Sequence, residues 1–234
     1  MSDDFTLLSD GLLQICENDP AADRLIAPRR EAVFSLLVKY IAEIELHNPA
    51  LSLVGTNDRK ELIVRHILDS LAPLGIISGM GPSIARQFSI ADVGSGAGLP
   101  GIPLAIAMPD VEFTLIERKG RRAGFLRNVK AALNISNVSV EEAEMEKIKP
   151  GRFSLVTFRA FKPLEPKMYK KLARLCVAGG CLAAYKGRRE KIEEEMAALE
   201  KALPDIIGHW EYVPCPVPFL DEQRWLVIVK RSEL

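Results

Sequence analysis

Apolar residues recur at three- and four-residue steps through the first 84 residues, which is the period of amphipathic helices. A stripe from Val33 to Ile44 predicts a helix over about 29–47. Asn48-Pro49 is expected to end this helix, because proline cannot continue the helical hydrogen-bond ladder. A second stripe predicts a helix at about 58–72, and the glycine- and proline-containing segment 75–82 is predicted to be a connection.

After residue 84, short β-prone runs alternate with helical stretches. Strands are predicted at 88–93, 111–117, 137–140, 153–158, 181–185, 208–213 and 225–230. Helices are predicted at about 101–107, 119–134, 165–176 and 188–202. This alternation predicts βαβ units and therefore a mostly parallel sheet with helices on both faces.

The last two predicted strands are joined by the proline-rich segment 213–219 without a helix, so we expect them to pair antiparallel. The chain as a whole is then an α/β protein made of two segments packed as one unit. Residues 1–84 form an N-terminal helical extension, and residues 85–234 form the domain that contains the sheet.

The strand predicted at 88–93 runs into a glycine-rich turn, Asp92-Val-Gly-Ser-Gly-Ala-Gly-Leu-Pro-Gly101. Glycines allow a backbone to take positive φ and to approach a ligand closely, and the following helix offers free N–H groups to an anion. Residues 96–101 match the GxGxxG pattern of dinucleotide sites, and Glu117 ends the next strand about 20 residues later. The same segment matches the Asp-x-Gly-x-Gly-x-Gly pattern of S-adenosylmethionine (SAM) sites.

Asp92 discriminates between these two ligands. Its carboxylate would repel the pyrophosphate of a dinucleotide, whereas it would attract the ammonium and sulfonium charges of SAM. A turn without any ligand is the remaining alternative, but the four glycines would then lower helix and strand stability without an evident gain in packing. The residues therefore favour a SAM site.

Composition and charge narrow the class of protein. The 234 residues are 48% hydrophobic and 26% charged, which excludes a disordered chain, and the formal net charge is zero. Residues 1–84 hold 12 acidic and 7 basic residues, whereas the remainder holds 19 acidic and 24 basic ones. Two basic stretches, 118–130 and 159–191, favour a polyanionic partner, although a solvated helix face explains either stretch alone.

The cysteines, the N-terminus and the lengths of the apolar runs indicate the cellular compartment and whether a metal is bound. The four cysteines show no CxxC spacing, so we expect free thiols in a reducing compartment and no metal site. The N-terminus is acidic where a signal peptide is basic, and no uninterrupted apolar run approaches the ~20 residues of a membrane span. We expect a cytoplasmic protein without a membrane partner.

Several motifs occur together in a fixed order. They are Val64-Arg-His-Ile-Leu-Asp-Ser70, the turn Asp92–Gly101, Glu117 followed by Arg121-Arg122 and Phe125-Leu-Arg127, Arg159-Ala160-Phe161, Lys186-Gly187, and Arg224-Trp-Leu-Val227. In these motifs the chain, from about residue 30 to 231, resembles the RsmG/GidB family of 16S rRNA guanine-N7 methyltransferases. It departs from the family's pattern at His47 (usually Trp), at Ser52 (commonly Asn) and at 142–145, where Glu-Ala-Glu-Met replaces a loop that often carries Arg-Ala-Glu.

The resemblance implies a class I SAM-methyltransferase with a Rossmann-like fold, SAM as cofactor, and 16S rRNA or the small ribosomal subunit as partner of a monomeric enzyme. It implies these cofactor-binding residues: Asp92, Gly94, Ser95, Gly96, Gly98, Leu99, Glu117, Ala143, Glu144, Met145 and Arg159. It implies these substrate-binding residues: Arg65, His66, Arg121, Arg122, Lys186 and Arg224. Arg159 and Lys186 are expected to take part in catalysis by positioning and charge matching.

The implied chemistry needs no general base, because guanine N7 carries a lone pair and no proton. Catalysis would then rest on positioning and electrostatics. Two interpretations remain open from the residues: a SAM methyltransferase that acts on a small molecule or protein, and a non-catalytic SAM- or nucleotide-binding regulator. Local alternatives also remain, since His66 fits a core histidine and Arg65 with Asp69 fits an i,i+4 ion pair.

Overall fold

A seven-stranded sheet forms the centre of the protein in the computed structural model, which describes residues 3–84, 88–159 and 163–231. The strands are β1 Ser89–Val93, β2 Glu112–Glu117, β3 Val138–Glu142, β4 Phe153–Arg159, β5 Cys176–Lys186, β6 Trp210–Pro214 and β7 Trp225–Lys230. Their order is β3-β2-β1-β4-β5-β7-β6, and β7 runs antiparallel to both of its neighbours while the other pairs are parallel. The predicted mostly parallel sheet with an antiparallel last strand is confirmed.

Helices precede the sheet and cover both of its faces. They are α1 Asp3–Asn18, α2 Pro20–Ile26, α3 Arg30–Leu51, α4 Arg59–Leu62, α5 Asp69–Leu71, α6 Leu74–Ile84, α7 Gly101–Ala107, α8 Gly120–Leu133, α9 Pro166–Ala173 and α10 Arg189–Ala202. Between α4 and α5 the chain is a π-helix, Ile63–Leu68, so the helix predicted at 58–72 exists but is widened in its middle.

The alternation of side chains along each strand divides the core into two layers. One face of the sheet, with Ile90, Leu155 and Ile228, packs on the N-terminal helices and on α7 and α8 in one continuous cluster. The opposite face, with Val156 and Val229, packs on α9 and α10. Each fully buried Leu or Ile contributes roughly 1.5–3 kcal/mol, so the N-terminal helices are held to the sheet by ordinary burial.

Helix α3 continues past the residue at which the sequence predicted its end. It includes Pro49 and ends at Leu51, with Ser52 in the left-handed conformation. A proline in the last turn removes one helical hydrogen bond, and beyond the helix the Asn48 side chain holds the following chain by accepting from the N–H groups of Leu53 and Val54 at 2.8 and 2.9 Å. The predicted stop was therefore wrong by one turn.

The segment 75–82 is helical rather than a connection, because it lies within α6. A Cβ on Gly75 would lie 1.9 Å from Oδ2 of Asp19, so this glycine permits contact between two helices instead of making a turn. Asp19 caps α2 by accepting from Ala21 N at 2.8 Å. Leu74 and Ile77 are fully buried, and that burial offsets the roughly 1 kcal/mol that a helical glycine costs.

Strand β5 is longer than predicted and begins at Cys176, while the preceding helix α9 ends at Ala173. Gly179 takes positive φ within this strand, and the pairing with β4 is irregular between Phe153 and Leu155. Cys176 and Cys181 are buried in the strand, as expected. The helix predicted at 165–176 was therefore too long.

The stretch Arg59–Gly81 is long and apolar enough, by length and composition, to cross a membrane, and 61% of its most apolar window is buried inside the protein. Its side chains join the core cluster that also contains residues of α1, α2 and α7. This packing accounts for the apolar composition of the stretch.

Candidate functional site

The glycine-rich turn between β1 and α7 is braced from the N-terminal helices. Tyr40 of α3, fully buried, donates a hydrogen bond from its hydroxyl to the carbonyl oxygen of Ala97 at 2.7 Å. Gly98 has φ +92°, and a Cβ there would lie 2.6 Å from Ile102 Cγ1 and 3.2 Å from the Tyr40 hydroxyl. Only glycine fits at this position, because both the backbone conformation and the space exclude a side chain.

Asp92, at the carboxyl end of β1, is 1% exposed. Its Oδ2 accepts from the Ser95 hydroxyl at 2.5 Å and from the Gly101 N–H at 3.1 Å. Its Oδ1 is buried and has no hydrogen-bond partner among the residues that the structure describes. Burial raises the pKa of Asp92 from 3.8 to about 6, although the bonds from Ser95 and Gly101 lower it. The free oxygen is suited to a cationic or hydrogen-bonding ligand group.

Glu117, at the end of β2, is 4% exposed and closes the turn from the other side. Its Oε2 accepts from Gly96 N at 3.0 Å, and its Oε1 accepts from Lys119 N at 2.8 Å. An ionised carboxylate has about four lone-pair sites, so two remain for ligand hydroxyls. Asp92 and Leu115 are register partners, which places Asp92 and Glu117 on the same face of the sheet.

A first cavity of about 570 Å³ opens at the carboxyl ends of β1, β2 and β3. It is lined by Val93, Gly94, Ile116, Glu117, Arg118, Lys119, Arg122, Ala143, Glu144, Met145, Glu146 and Met168. Five residues predicted to bind cofactor lie here: Gly94, Glu117, Ala143, Glu144 and Met145. Leu99, in contrast, does not line this cavity and is 6% exposed within the hydrophobic core.

A second cavity, of about 320 Å³, lies at the same edge of the sheet beside β4, β5 and β7. Its lining includes five of the residues predicted for catalysis or substrate binding: Arg65, His66, Arg159, Lys186 and Arg224. Pro73, Cys215, Trp225 and Leu226 add an apolar part of the wall. The topology thus brings together residues that are up to 161 positions apart in sequence, Arg65 and Leu226.

Asp69 organises the charges of the second cavity. Its carboxylate accepts from Arg159 Nη1 at 3.0 Å and from Arg224 Nε at 3.1 Å, and its side chain is 7% exposed. Asp92 is the register partner of Thr157, so Arg159, two residues further on, has its side chain on the same face of the sheet as Asp92. Arg159 therefore lies between the two cavities, and its charge counteracts part of the rise in the pKa of Asp92.

The π-helix supplies further partners for Arg159. Its Nη1 donates to the carbonyl oxygens of Arg65 and His66 at 3.4 and 3.3 Å, and its Nη2 lies 3.0 Å from His66 Nδ1. Burial, together with the Arg159 charge, lowers the pKa of His66 from 6.5 to about 4. Since an arginine can only donate, His66 Nδ1 accepts and Nε2 carries the proton of the neutral ring.

Arg65 and Asp69 do not form the i,i+4 pair that their spacing suggested. Arg65 pairs instead with Glu222 at 2.5 Å, and Asp69 binds the two arginines of the sheet edge. Sequence reasoning missed Asp69 and Glu222 as site residues. The only local signal was an acid beside a basic residue on a helix, which is common on solvated surfaces.

Lys186 differs most from its predicted role. Its register partner is Trp225, whereas Tyr185, the residue before it, is the partner of Arg159, so Lys186 points to the opposite face of the sheet. Its ammonium group donates to the Glu195 carboxylate of α10 at 2.7 and 2.9 Å. Tyr185 takes the position beside Arg159 and donates to the Ser70 carbonyl oxygen at 2.8 Å.

Arg121 and Arg122, predicted to bind substrate, lie at the start of α8. Arg121 Nη2 donates to the Ala50 carbonyl oxygen at 3.0 Å, and Arg122 Nη2 donates to the Ser52 carbonyl oxygen at 2.7 Å. Both arginines therefore satisfy carbonyl groups at the end of α3, and Arg122 also lines the first cavity. Of the motif Arg159-Ala160-Phe161, residues 160 and 161 lie outside the described residues.

Comparison with known proteins identifies the family. The family model described as GidB, rRNA small subunit methyltransferase G, matches residues 34–206. The chain belongs to this family.

Curated relatives agree over nearly the whole length. Ribosomal RNA small subunit methyltransferase G of Treponema pallidum (strain Nichols) is 38% identical over 95% of this chain and 92% of that protein. The protein of the same name from Cellvibrio japonicus is 36% identical, with full coverage of both chains.

Solved structures show the same fold at lower identity. A predicted O-methyltransferase from Agrobacterium tumefaciens has a TM-score of 0.53 and 23% identity, covering 71% of this chain and 81% of that one. The tRNA (m1A58) methyltransferase TrmI from Aquifex aeolicus also has a TM-score of 0.53, at 13% identity, with 71% and 69% covered. The predicted class I methyltransferase fold is confirmed.

Proposed function

We propose that this chain is a cytoplasmic SAM-dependent methyltransferase that modifies N7 of a guanine in 16S rRNA. Membership of the rRNA small subunit methyltransferase G family supports the reaction and the RNA. The single structural observation that carries the proposal is the adjacency of two unlike cavities at one sheet edge. One is bordered by the glycine turn and Glu117, and the other by three arginines and a neutral histidine.

The residues around the first cavity fit SAM. The free, buried Oδ1 of Asp92 suits the positively charged methionine part, and the open lone pairs of Glu117 suit the two ribose hydroxyls. Ala143 and Met145 offer apolar contact to the adenine, beside Glu144. When bound, SAM supplies an electrophilic methyl group.

The second cavity fits an acceptor whose unprotonated nitrogen attacks the methyl group of SAM. Arginine N–H groups can donate to O6 of guanine, which lies beside N7, and leave the N7 lone pair free to attack the methyl group. His66 is a weak base, because its pKa is lowered to about 4 and its Nδ1 already accepts from Arg159, and Asp69 is already shared by two arginines. Arg159 and Arg224 would orient the base, and the reaction at N7 needs no proton removed.

The cysteines argue against methylation at a pyrimidine carbon, which needs a thiolate nucleophile. Cys215 lines the second cavity, but burial raises the pKa of its thiol to about 12. Burial likewise raises the pKa of Cys176 to about 12 and that of Cys181 to about 11. These thiols stay protonated near neutral pH, so they are poor nucleophiles.

Strand scission at the modified guanine tests the proposal. Borohydride and aniline cleave RNA at N7-methylguanine, so small-subunit rRNA from the wild-type strain should be cut at one guanine. The cut should be absent in a deletion strain and restored by this gene. If the rRNA accepts labelled methyl from SAM but resists scission, the N7 assignment is wrong while the methyltransferase assignment stands. If no labelled methyl reaches rRNA or small subunits, the proposed function is wrong.

A further inference from the structure

The loop between β6 and β7 lies at the wall of the second cavity. Cys215 and Arg224, near the two ends of this loop, both line the cavity, and Cys215 N donates to the Arg224 carbonyl oxygen at 2.8 Å. Glu222, within the loop, pairs with Arg65 of the π-helix at 2.5 Å. The loop is therefore tied both to the sheet edge and to the helix beside the cavity.

A reverse turn in this loop holds Phe219 in an unfavourable backbone conformation. Leu220 N donates to the Val217 carbonyl oxygen at 3.1 Å, and Phe219, in the third position of the turn, has φ +64°. Pro218 in the second position and a left-handed third residue are typical of a type II turn, in which the third position favours glycine. A phenylalanine here is strained.

The positive φ of Phe219 is not explained by the end of a helix, as it is at other residues of this protein. Within residues 3–84, 88–159 and 163–231, the other non-glycine residues with positive φ are Ser52 and Asn134, and both end helices. Phe219 ends no helix, and the turn is not strained in order to bury its ring. Val217 is 5% exposed and Leu220 packs on the core, whereas Phe219 is 50% exposed.

Phe219 is also unusual among surface residues. Four large hydrophobic side chains are exposed in the described part of the chain, and Phe219 is the only aromatic one. Single exposed apolar residues are normal on proteins, so exposure alone carries no argument. Phe219 does not itself line the second cavity, but exposure and a strained backbone occur together here, four residues after Cys215 and five before Arg224, which do line it.

We propose that Phe219 is an RNA-contacting residue that stacks on an unpaired base next to the nucleotide held in the second cavity. Single-stranded RNA is recognised by aromatic side chains that stack on its bases, with cationic groups nearby for the phosphates. Arg65, Arg159 and Arg224 outnumber the carboxylates hydrogen-bonded to them, Asp69 and Glu222, so these side chains beside the loop together keep a net positive charge. This inference rests on the proposed function, because it takes the substrate to be RNA.

Four variants test the stacking role. Phe219→Gly and Phe219→Leu remove the ring, Phe219→Trp keeps an aromatic ring, and Ile207→Ala is the control. Ile207 is 60% exposed and precedes β6, so it lies at the opposite edge of the sheet. The measurements are the Kd for a protein-free 16S rRNA transcript, the Kd for SAM, and the Tm.

Phe219→Gly and Phe219→Leu should weaken transcript binding by about 5- to 100-fold, which is the range of stacking on one base. Phe219→Trp and Ile207→Ala should bind within about twofold of wild type, and SAM binding should not change in any variant. Phe219→Gly should also raise the Tm by roughly 2–4 °C, because the strain is relieved. Weaker RNA binding by a more stable protein cannot be explained by unfolding.

The inference is wrong if Phe219→Gly binds the transcript like wild type, or if Phe219→Leu does. It is also wrong if the losses appear only with assembled small subunits, because Phe219 would then contact a ribosomal protein. These results differ from failure of the proposed function, in which the wild-type chain itself transfers no methyl to rRNA.

Discussion

The two cavities at the carboxyl edge of the sheet are built in different ways. The first lies at the ends of three adjacent strands and is lined by Gly94 of the glycine turn, by Glu117, which accepts from backbone N–H groups, and by side chains such as those of Met145 and Met168. The second is formed by long charged side chains from the π-helix, β4 and the start of β7, held around Asp69. Arg159, whose charge acts on both Asp92 and His66, lies between them.

The first cavity is thus specified largely by short segments of sequence. The second is assembled only when the fold brings distant residues together. The turn beside the first cavity depends on a few residues that must be glycine or acidic, because its backbone N–H groups donate to Asp92 and Glu117. The second cavity depends on a shared carboxylate, and loss of one partner leaves a buried charge without compensation. Variants should therefore affect SAM binding and methyl transfer separately.

The largest expected effect is that of Arg159→Gln. It removes the guanidinium that contacts Asp69, His66 and the two carbonyl groups, so kcat/KM for rRNA methylation should fall at least about 100-fold. At pH 8, where Asp92 should stay ionised without the Arg159 charge, the Kd for SAM should stay within about threefold, which also shows that the protein is folded. Arg152→Gln, at the other edge of the sheet and paired with Glu141, is the matched control. An equal loss of SAM binding would place Arg159 in the cofactor site.

Glu117→Ala should weaken SAM binding at least about tenfold, because charged hydrogen bonds to two ribose hydroxyls are worth ~1.5–3 kcal/mol. Binding of the rRNA transcript should be unchanged. Glu112→Ala, at the exposed start of the same strand, is the control. Calorimetry with SAM, and separately with NAD, provides the measurement. Unchanged SAM affinity, or tight binding of NAD instead, would contradict the assignment of the first cavity.

SAM affinity should depend on pH through Asp92. Its pKa in the free protein is raised to about 6 by burial, and the cationic ligand favours the ionised form. At pH 5 only about a tenth of the protein has this carboxylate ionised, so SAM should bind up to about tenfold more weakly than at pH 7. The Asp92→Asn variant should bind weakly with a flat profile from pH 5 to 7. A flat profile in the wild type would show that Oδ1 of Asp92 does not face the ligand charge.

Protein stability should respond to the same groups with opposite signs. The raised pKa of Asp92 destabilises the folded state as pH rises from about 3.8 to 6, whereas the lowered pKa of His66 stabilises it as pH rises from about 4 to 6.5. His66→Gln should therefore lose less stability than wild type when pH falls from 6.5 to 4.5. Urea unfolding at several pH values measures this difference. Parallel curves for the two proteins would mean that His66 titrates normally.

The smallest effects are expected at the start of α8. Arg121→Ala should reduce the salt dependence of RNA binding by up to about one unit and leave SAM binding unchanged. Arg122→Ala should weaken SAM binding by about threefold, because Arg122 lines the first cavity. Arg127→Ala, one turn further on and paired with Glu142, is the control. If both variants bind RNA and SAM like wild type, these arginines only cap α3.

The sequence predicted lining residues of both cavities, but by different signals. Asp92, Gly94 and Glu117 are specified by a local pattern of glycines and strand ends, which periodicity and spacing detect. Lys186 lines the second cavity, but its ammonium group pairs with Glu195 on the opposite face of the sheet, because a one-residue difference in register decides which face a strand-end side chain takes; its part in catalysis stays a prediction. The helix over 75–82 was missed because burial of Leu74 and Ile77, which only the tertiary structure supplies, outweighs glycine propensity.

The π-helix fixes the number of residues that the segment between α4 and α5 can contain. A π-helical turn is equivalent to one residue inserted into an α-helix, so deletion of a single residue within Ile63–Leu68 would restore regular helix geometry. The same deletion would rotate Asp69 by about 100° relative to the preceding residues, away from Arg159 and Arg224. A substitution in this segment would thus weaken individual contacts. A deletion would instead restore a regular helix and lose the charge arrangement of the second cavity.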